Sequence, residues 1–333
     1  ASTQPGLELL EAVRYVRTYP FGCVEQTVSS LLPLVAARSL PAGALLPADG
    51  GGRRKAGRAP DPHEEMSRGW LSLLRRQRPD GAWGFWDRRS EASPYCTLYV
   101  AHLAGLLAED AALRQVLEAE DSSAAVGRLF SYGLETFVTD ASVEPAWAGP
   151  GGGGGPVLSL RAMALRVLPA LLRFQRPALR RKWEAELARA AEELFGRWKE
   201  APGILSAEAL AWLAIGLGRL QLAEAAAQAA AALASRCVVQ SEGWAEVAED
   251  YGTRHFAELV MLHSSARSDA AALEALSALL PREAELPRRL AAGLLRRRAR
   301  GHWGSTSADA AVLLALARHF GAMSLREPDC SPR

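Results

Sequence analysis

The chain has 333 residues, 49% of them hydrophobic and 7% aromatic, with a formal net charge of +2. That length and apolar content suit one large domain or two ordinary ones with ample core. The balanced charge excludes the long basic stripe that nucleic-acid binding needs, and the longest apolar runs, such as 221–234, are alanine-rich and too short for a membrane span.

Helical periodicity begins at once, over 7–18, after an N-terminus with no charged region leading into an apolar run; no secretory signal is visible there. The segment "YPFGCVEQT" (19–27) leads into a second helix, 24–38, with Val24, Val28, Leu31, Leu32 and Val35 on one face. Residues 41–62 are rich in glycine and proline and carry Arg53, Arg54, Lys55 and Arg58; they read as a solvated loop or as a docking patch for an acidic partner. A third helix, 63–77, has Met66, Trp70, Leu73, Leu74 and Gln77 on its face.

Further helical stretches read as 95–108, 110–118 and 122–138. Residues 145–156 hold five consecutive glycines and read as an inserted loop or lid, because helical character is the same on both sides. Helices then follow over 157–174, 178–199, 205–219, 221–236, 253–264, 268–280, 285–298 and 306–320. Strand signals are nearly absent. The polar tail 326–333 carries Cys330, and 1–325 read as one domain.

The four cysteines, Cys23, Cys96, Cys237 and Cys330, are far apart and form no CxxC, which argues against a zinc site or a dense disulfide framework. One distant disulfide is compatible with the spacing, and its partners stay open. No metal or other cofactor is expected. His102, amid apolar residues in "YVAHLAGLL", reads as a packed histidine.

A weak internal echo runs through "DGAWGFW" (80–86), "SEGWAEV" (241–247) and "RGHWGST" (300–306). Each sets a Gly-Trp element in a loop, with a helix at or shortly after it. Glycine frees the backbone for the turn, and tryptophan covers adjoining helix ends. Hairpins closed this way predict an all-α fold, an α/α toroid of paired antiparallel helices; a solenoid of stacked pairs is the alternative.

Two resemblances sharpen this. "RGWLSLLRRQRPDGAWG" (68–84) resembles the Gln-x-x-x-Gly-x-Trp repeat of squalene and hopene cyclases through Gln77, Gly81 and Trp83. There the motif is structural, the glutamine capping helix ends and the tryptophan packing on them. It supports a terpenoid-cyclase-like toroid. A cyclase also needs an Asp-x-Asp-Asp acid or an Asp-Asp-x-x-Asp metal site. The acidic pairs Glu109–Asp110, Glu120–Asp121 and Glu249–Asp250 supply neither.

"YPFGCVEQT" resembles the Gly-Cys-x-Glu-Gln thioester signature of the alpha-2-macroglobulin and complement family, with Gly22, Cys23, Glu25 and Gln26 matching. Residues 9–40 and 77–109 are similar to the corresponding segments of bacterial members, and "GHWGSTSADAAVLLALARHF" (301–320) to their Gly-Ser-Thr helix. The resemblance implies an α/α toroid in which the Cys23 sulfur and the Gln26 side-chain carbonyl form an internal thioester. The i,i+3 spacing sets both side chains on one face of a first helical turn. Gly22 is expected to permit a tight turn and leave room beside the sulfur, with Pro20 fixing the entry. Tyr19 and Phe21 are expected to help exclude water, and Glu25 to order the ring or cap the helix start, the alternative being a surface carboxylate.

The implied function is covalent capture of an attacking protease. Cleavage of a bait elsewhere exposes the thioester, and a lysine amine takes the Gln26 acyl group. The protein is consumed, so it is not an enzyme. Some complement members use a downstream histidine for transfer to hydroxyls. No histidine lies in 130–160, and amines are the expected acceptors. The implied partners are target proteases and the other domains of a longer parent, and the implied location is the periplasm or cell surface. With no β-rich portion, the chain is expected to be a thioester domain or a fragment of such a parent. A toroid module with no thioester formed and a terpene-cyclase-like enzyme remain the alternatives.

Overall fold

The computed structural model describes residues 5–40, 61–139, 155–240, 243–249, 261–280 and 284–324. The loop 41–60, most of the glycine-rich 145–156 segment, the greater part of the 253–264 stretch and the tail 326–333 with Cys330 lie outside these described residues.

The helices divide into two sequence types. In α4 (Pro94–Glu109) every residue from Pro94 to Ala108 is buried, and α9 (Ala207–Arg219) is buried from Ala207 to Leu217. A helix that is apolar all round belongs inside a protein. By contrast, α8 (Pro177–Glu200) buries only Leu187, Ala190, Ala191, Leu194 and Trp198, a single stripe, and lies outside.

These types alternate along the chain, and their contacts close a ring. The inner helices are α2 (Val24–Ala37), α4, α7 (Gly155–Leu171), α9, α11 (Ser265–Leu279) and α13 (Thr306–Ser324). Each packs on the next, and α13 packs back on α2. Outside them, α1 (Pro5–Thr18) lies on α13 and α2, and α3 (Pro62–Leu74) lies on α2. Next, α6 (Glu120–Leu134) covers α4 and α7, α8 covers α7 and α9, and α10 (Ala223–Ser235) covers α9 and α11. Finally α12 (Glu285–Arg296) covers α11 and α13. This is the all-α toroid expected from the sequence, and the solenoid alternative fails because the ring closes. Among the described residues, no helix is long and apolar enough to cross a membrane.

Two expectations need correction, and one segment adds a hairpin. Over 110–118 only a single turn, α5 (Gln115–Glu118), is helical, because the Asp110 carboxylate takes the N–H groups of Ala112 and Leu113 and holds a turn instead. Residues 135–139 form a π-turn rather than continuing α6. "SEGWAEV" lies in a short hairpin, and the helix expected shortly after it, over 253–264, falls mostly outside the described residues. Ala245–Val247 is a strand, β2, paired antiparallel with β1 (Cys237–Val239) in the register Cys237 to Val247. Gly243, at φ +80°, serves the hairpin turn. Gly293 of α12 admits this hairpin, since a Cβ there would lie 2.2 Å from the Ala245 carbonyl oxygen.

The other two tryptophan turns form a true repeat. Trp83 Nε1–H donates to the Leu73 carbonyl at the end of α3 (2.8 Å), and its backbone N–H donates to Thr97, fourth residue of α4. Trp303 Nε1–H donates to the Leu294 carbonyl near the end of α12 (2.7 Å), and its N–H donates to Asp309, fourth residue of α13. Each turn joins an outer helix to the next inner one. Gln77 adds a clamp in the first, donating to the carbonyls of Gly81 (3.2 Å) and Ala125 (2.9 Å) and accepting from Arg128 (2.7 Å). Gly81 takes φ +94° with the Arg128 carbonyl 2.5 Å from where a Cβ would be.

Candidate thioester site at one mouth of the ring

The inner helices run parallel, since outer helices return the chain between them. Their N-termini therefore gather at one mouth and their C-termini at the other. Cys23 is the N-cap of α2, with extended backbone (φ −65°, ψ 173°). The Gln26 N–H donates to Cys23 Sγ at 3.4 Å, and the Cys23 N–H donates to Gln26 Oε1 at 3.1 Å. This is a capping box in which cysteine and glutamine take the places usually held by Ser/Thr and Glu/Gln. Two orphan helix-start N–H groups are thereby satisfied, and the Gln26 carboxamide is folded back over the cysteine that caps the helix.

The turn is braced from three sides. The Val24 N–H donates to the Phe85 carbonyl (2.7 Å), pinning α2 to the Trp83 turn. Thr27 donates its hydroxyl to the Cys23 carbonyl (2.8 Å), which also takes the Thr27 N–H. Arg76, just past α3, donates to the Gly22 carbonyl (2.6 Å).

Cys23 forms no disulfide and is 5% exposed. Burial pushes its pKa up; the Gln26 N–H and Arg76 pull against that rise, and Glu25 adds to it. Cys96, in the first turn of α4, is fully buried and pushed up to about 12, burial being the largest cause. As free thiols, both stay protonated at neutral pH.

Glu25 is not a surface carboxylate, nor does it cap the helix. It is 4% exposed and accepts from Ser29 (2.7 Å) and from Thr306 (3.0 Å to each oxygen). Ser29 in turn contacts the Tyr99 hydroxyl at 3.0 Å. The signature segment and the Gly-Ser-Thr helix, 281 residues apart, thus meet at one carboxylate. Burial raises the Glu25 pKa, and those two hydrogen bonds with Arg267 hold the rise down.

The aromatic residues before Cys23 form a ladder. His302 stacks on Tyr15 at 4.3 Å, Tyr15 meets Tyr19 edge-on at 5.6 Å, and Tyr19 meets Phe21 edge-on at 5.9 Å. Tyr19 is half-buried, whereas Phe21 is 62% exposed, as is Trp86 beside the Phe85 brace. Gly22 has no positive φ, and a Cβ there would meet nothing within 4 Å. Its visible contribution is the carbonyl that Arg76 holds.

Sequence reasoning missed the polar lining of the ring axis. All six inner helices enclose a cavity of about 40 Å³ between Tyr95, Tyr99, His102, Arg166, Glu208 and Arg267, among others. Arg267 pairs with Glu208 (2.8 Å) and lies over the rings of Tyr95 and Trp212. Burial pushes the Glu208 carboxyl up, but Arg267 and His263 outweigh it and hold it low. His102 is packed as expected, its pKa driven well down by burial and by Arg166. These charges sit in buried helices that read as plain apolar segments, so only their tertiary pairing reveals them. Among the described residues, no group of three or more His, Cys, Asp or Glu could hold a metal ion.

The fold is a helical toroid with a Cys-x-x-Gln pair folded together at its N-terminal mouth. No protein-family model matches the chain. Over 100 residues, 30% of its length, it is 29% identical to the alpha-2-macroglobulin of Escherichia coli (strain K12), of which the match covers 6%. The crystal structure of native E. coli alpha-2-macroglobulin from domain MG7 to the C-terminus superposes with a TM-score of 0.63 at 22% identity. That match covers 93% of this chain and 42% of that one. Salmonella alpha-2-macroglobulin reacted with methylamine gives a TM-score of 0.66 at 20% identity, covering 93% of this chain and 17% of that one. The chain is thus similar in part of its sequence to one bacterial alpha-2-macroglobulin, shares a fold with a portion of the solved ones, and spans less than half the length of each of these proteins.

Proposed function

We propose that this chain is the thioester-bearing domain of a bacterial alpha-2-macroglobulin-like protease trap, held in the periplasm or at the cell surface. The observation that carries this reading is the reciprocal Cys23–Gln26 pairing, Sγ on the Gln26 N–H and Oε1 on the Cys23 N–H. Condensation of the thiol with the carboxamide, with loss of ammonia, needs that juxtaposition. An amine then attacks the Gln26 acyl carbon, forming an amide and releasing the Cys23 thiol. The Cys23 N–H that now meets Oε1 is placed to stabilise the oxyanion of that attack. It lies at a helix N-terminus, where the backbone field favours negative charge.

A thioester survives only where water is kept away. Burial of Cys23 supplies part of that exclusion. The exposed Phe21 and Trp86 flank the site and suit a landing surface for another domain of a longer chain, which would complete the cover. Cleavage of a bait in that longer chain would lift the cover, and a lysine of the protease would be captured; the domain is consumed and turns over no substrate. Solved relatives include the Salmonella protein reacted with methylamine and the E. coli protein activated by trypsin and by porcine elastase, which fits this reading.

The cyclase alternative is disfavoured by the axial cavity, about 40 Å³ and lined by paired charges. Ligand pockets run to roughly 300–1,000 Å³. The toroid module with no thioester is separated by methylamine treatment followed by mass analysis of the Gln26 peptide. Methylamine on Gln26, with one newly reactive thiol at Cys23, supports the trap; an unmodified glutamine sinks it.

A further inference from the structure

Arg76 stands apart from its charged neighbours. Arg17 pairs with Glu65 (2.6 Å), and Arg78 with Asp80 (3.0 Å). Among the described residues, Arg76 has no carboxylate partner; it spends its guanidinium on the Cys23–Gln26 turn. Nη1 donates to the Gly22 carbonyl (2.6 Å) and to Thr27 Oγ1 (3.3 Å), and Nη2 donates to Ser72 Oγ (3.3 Å). Thr27 passes the restraint on by donating to the Cys23 carbonyl (2.8 Å). The guanidinium therefore bridges the residue before the cysteine and the residue after the glutamine, and its charge lies against the turn that carries the sulfur. On α2 itself the buried Glu25 carboxylate acts in the opposite sense, while Cys96 on α4 is a protonated, uncharged thiol. α13 contributes Thr306, which is uncharged.

We propose that Arg76 assists the acyl transfer as a positioning residue that holds the Cys23–Gln26 turn and offsets the negative charge developing on the Cys23 sulfur. The proposal rests on the thioester reading. In the transfer, the amine nitrogen bonds to the Gln26 carbonyl carbon, and the carbon–sulfur bond breaks with its electron pair on sulfur. The proton lost by the amine ends on sulfur or on water. The thioester sulfur is neutral beforehand, so a fixed cation stabilises the transition state more than the ground state, which is the condition for acceleration.

The test compares wild type with Arg76→Met and Arg76→Lys in two readouts. The first is the pH midpoint of Cys23 alkylation by iodoacetamide in the free-thiol protein, followed on the Cys23 peptide; it needs no thioester. Arg76→Met moves the midpoint up, and Arg76→Lys restores most of it. The second is the rate of thiol release by methylamine, which falls about fivefold in Arg76→Met, the scale of one partly solvated charge, and recovers in Arg76→Lys. Added salt slows the wild type more than Arg76→Met. Unchanged midpoints and rates in a folded Arg76→Met protein overturn the proposal. A wild type that releases no thiol overturns the thioester reading and the transfer role with it. Equal release from wild type and Arg76→Met overturns the transfer role alone.

Discussion

At the mouth where the inner helices begin, carboxylates occupy the first turns: Glu25 of α2, Glu208 of α9 and Asp309 of α13. At the mouth where they end, arginines take over. Arg38, the C-cap of α2, pairs with Asp110, Arg219 of α9 with Glu109, and Arg318 of α13 with Glu274. There an open cleft of about 430 Å³ lies between the ends of α9, α11 and α13. The contrast follows the helix dipole, positive at the N-terminus and negative at the C-terminus. The Cys-Gln pair lies at the positive end, where the Cys23 N–H now bonded to Gln26 Oε1 and a favourable field would serve the oxyanion and thiolate of the proposed transfer. The negative end would offer those charges nothing, so the proposed chemistry belongs to one mouth.

The largest expected break in this contrast is Cys23→Ser. Serine keeps the N-cap and so the stability of α2, but methylamine uptake falls to none. Uptake measured on the Gln26 peptide checks this, with Arg219→Met in the other mouth as the variant that leaves uptake intact. Next comes Arg267→Met, which leaves buried Glu208 with only the His263 ring of the two partners described above and costs about 3 kcal/mol in urea unfolding. Arg166→Met costs less, because Arg318 still holds Glu274 at 2.6 Å.

The two mouths also differ in pH dependence. Burial drives the Asp309 carboxyl up to about 7, partly opposed by the Trp303 N–H. Between about pH 4 and 7 the folded state keeps a proton there that the unfolded chain has lost, so stability falls as pH rises across that window. Asp309→Asn flattens this fall in denaturant titrations. Burial pushes Glu274 up too, but Arg166, Arg318 and Arg219 outweigh it and hold its pKa low. Its stabilisation is present above the ordinary carboxylate range and is lost as pH falls through the depressed value; Glu274→Gln removes that acid sensitivity. The smallest effect is Trp303→Phe or Trp83→Phe. Each loses one hydrogen bond to a helix-end carbonyl, about 1 kcal/mol by thermal unfolding, and similar losses would confirm that the two turns are one repeated device.

Much of this was legible in the sequence because it rests on local rules. The 3.6-residue periodicity marked most of the helices, and the Gly-Trp turns pointed to a ring because glycine and tryptophan do the same work at 83 and 303. The hairpin around the third Gly-Trp element was not legible, since a three-residue strand such as "CVV" is too short to show alternation. Glu25 could not be placed, because its partner Thr306 lies 281 residues away. Arg76 was hidden for the same reason. Its partners are a backbone carbonyl and a hydroxyl on another helix, and neither leaves a pattern in sequence. The Cys-x-x-Gln spacing was legible, whereas the reciprocal capping that joins the pair appears only once α2 is built.

The most direct test is the intact mass of the protein, purified without amines and measured before and after methylamine. The account predicts a native mass one ammonia below that of the free Cys23/Gln26 chain, rising by one methylamine as a single thiol appears at Cys23. A native mass equal to that of the free chain, unchanged by methylamine, would contradict it.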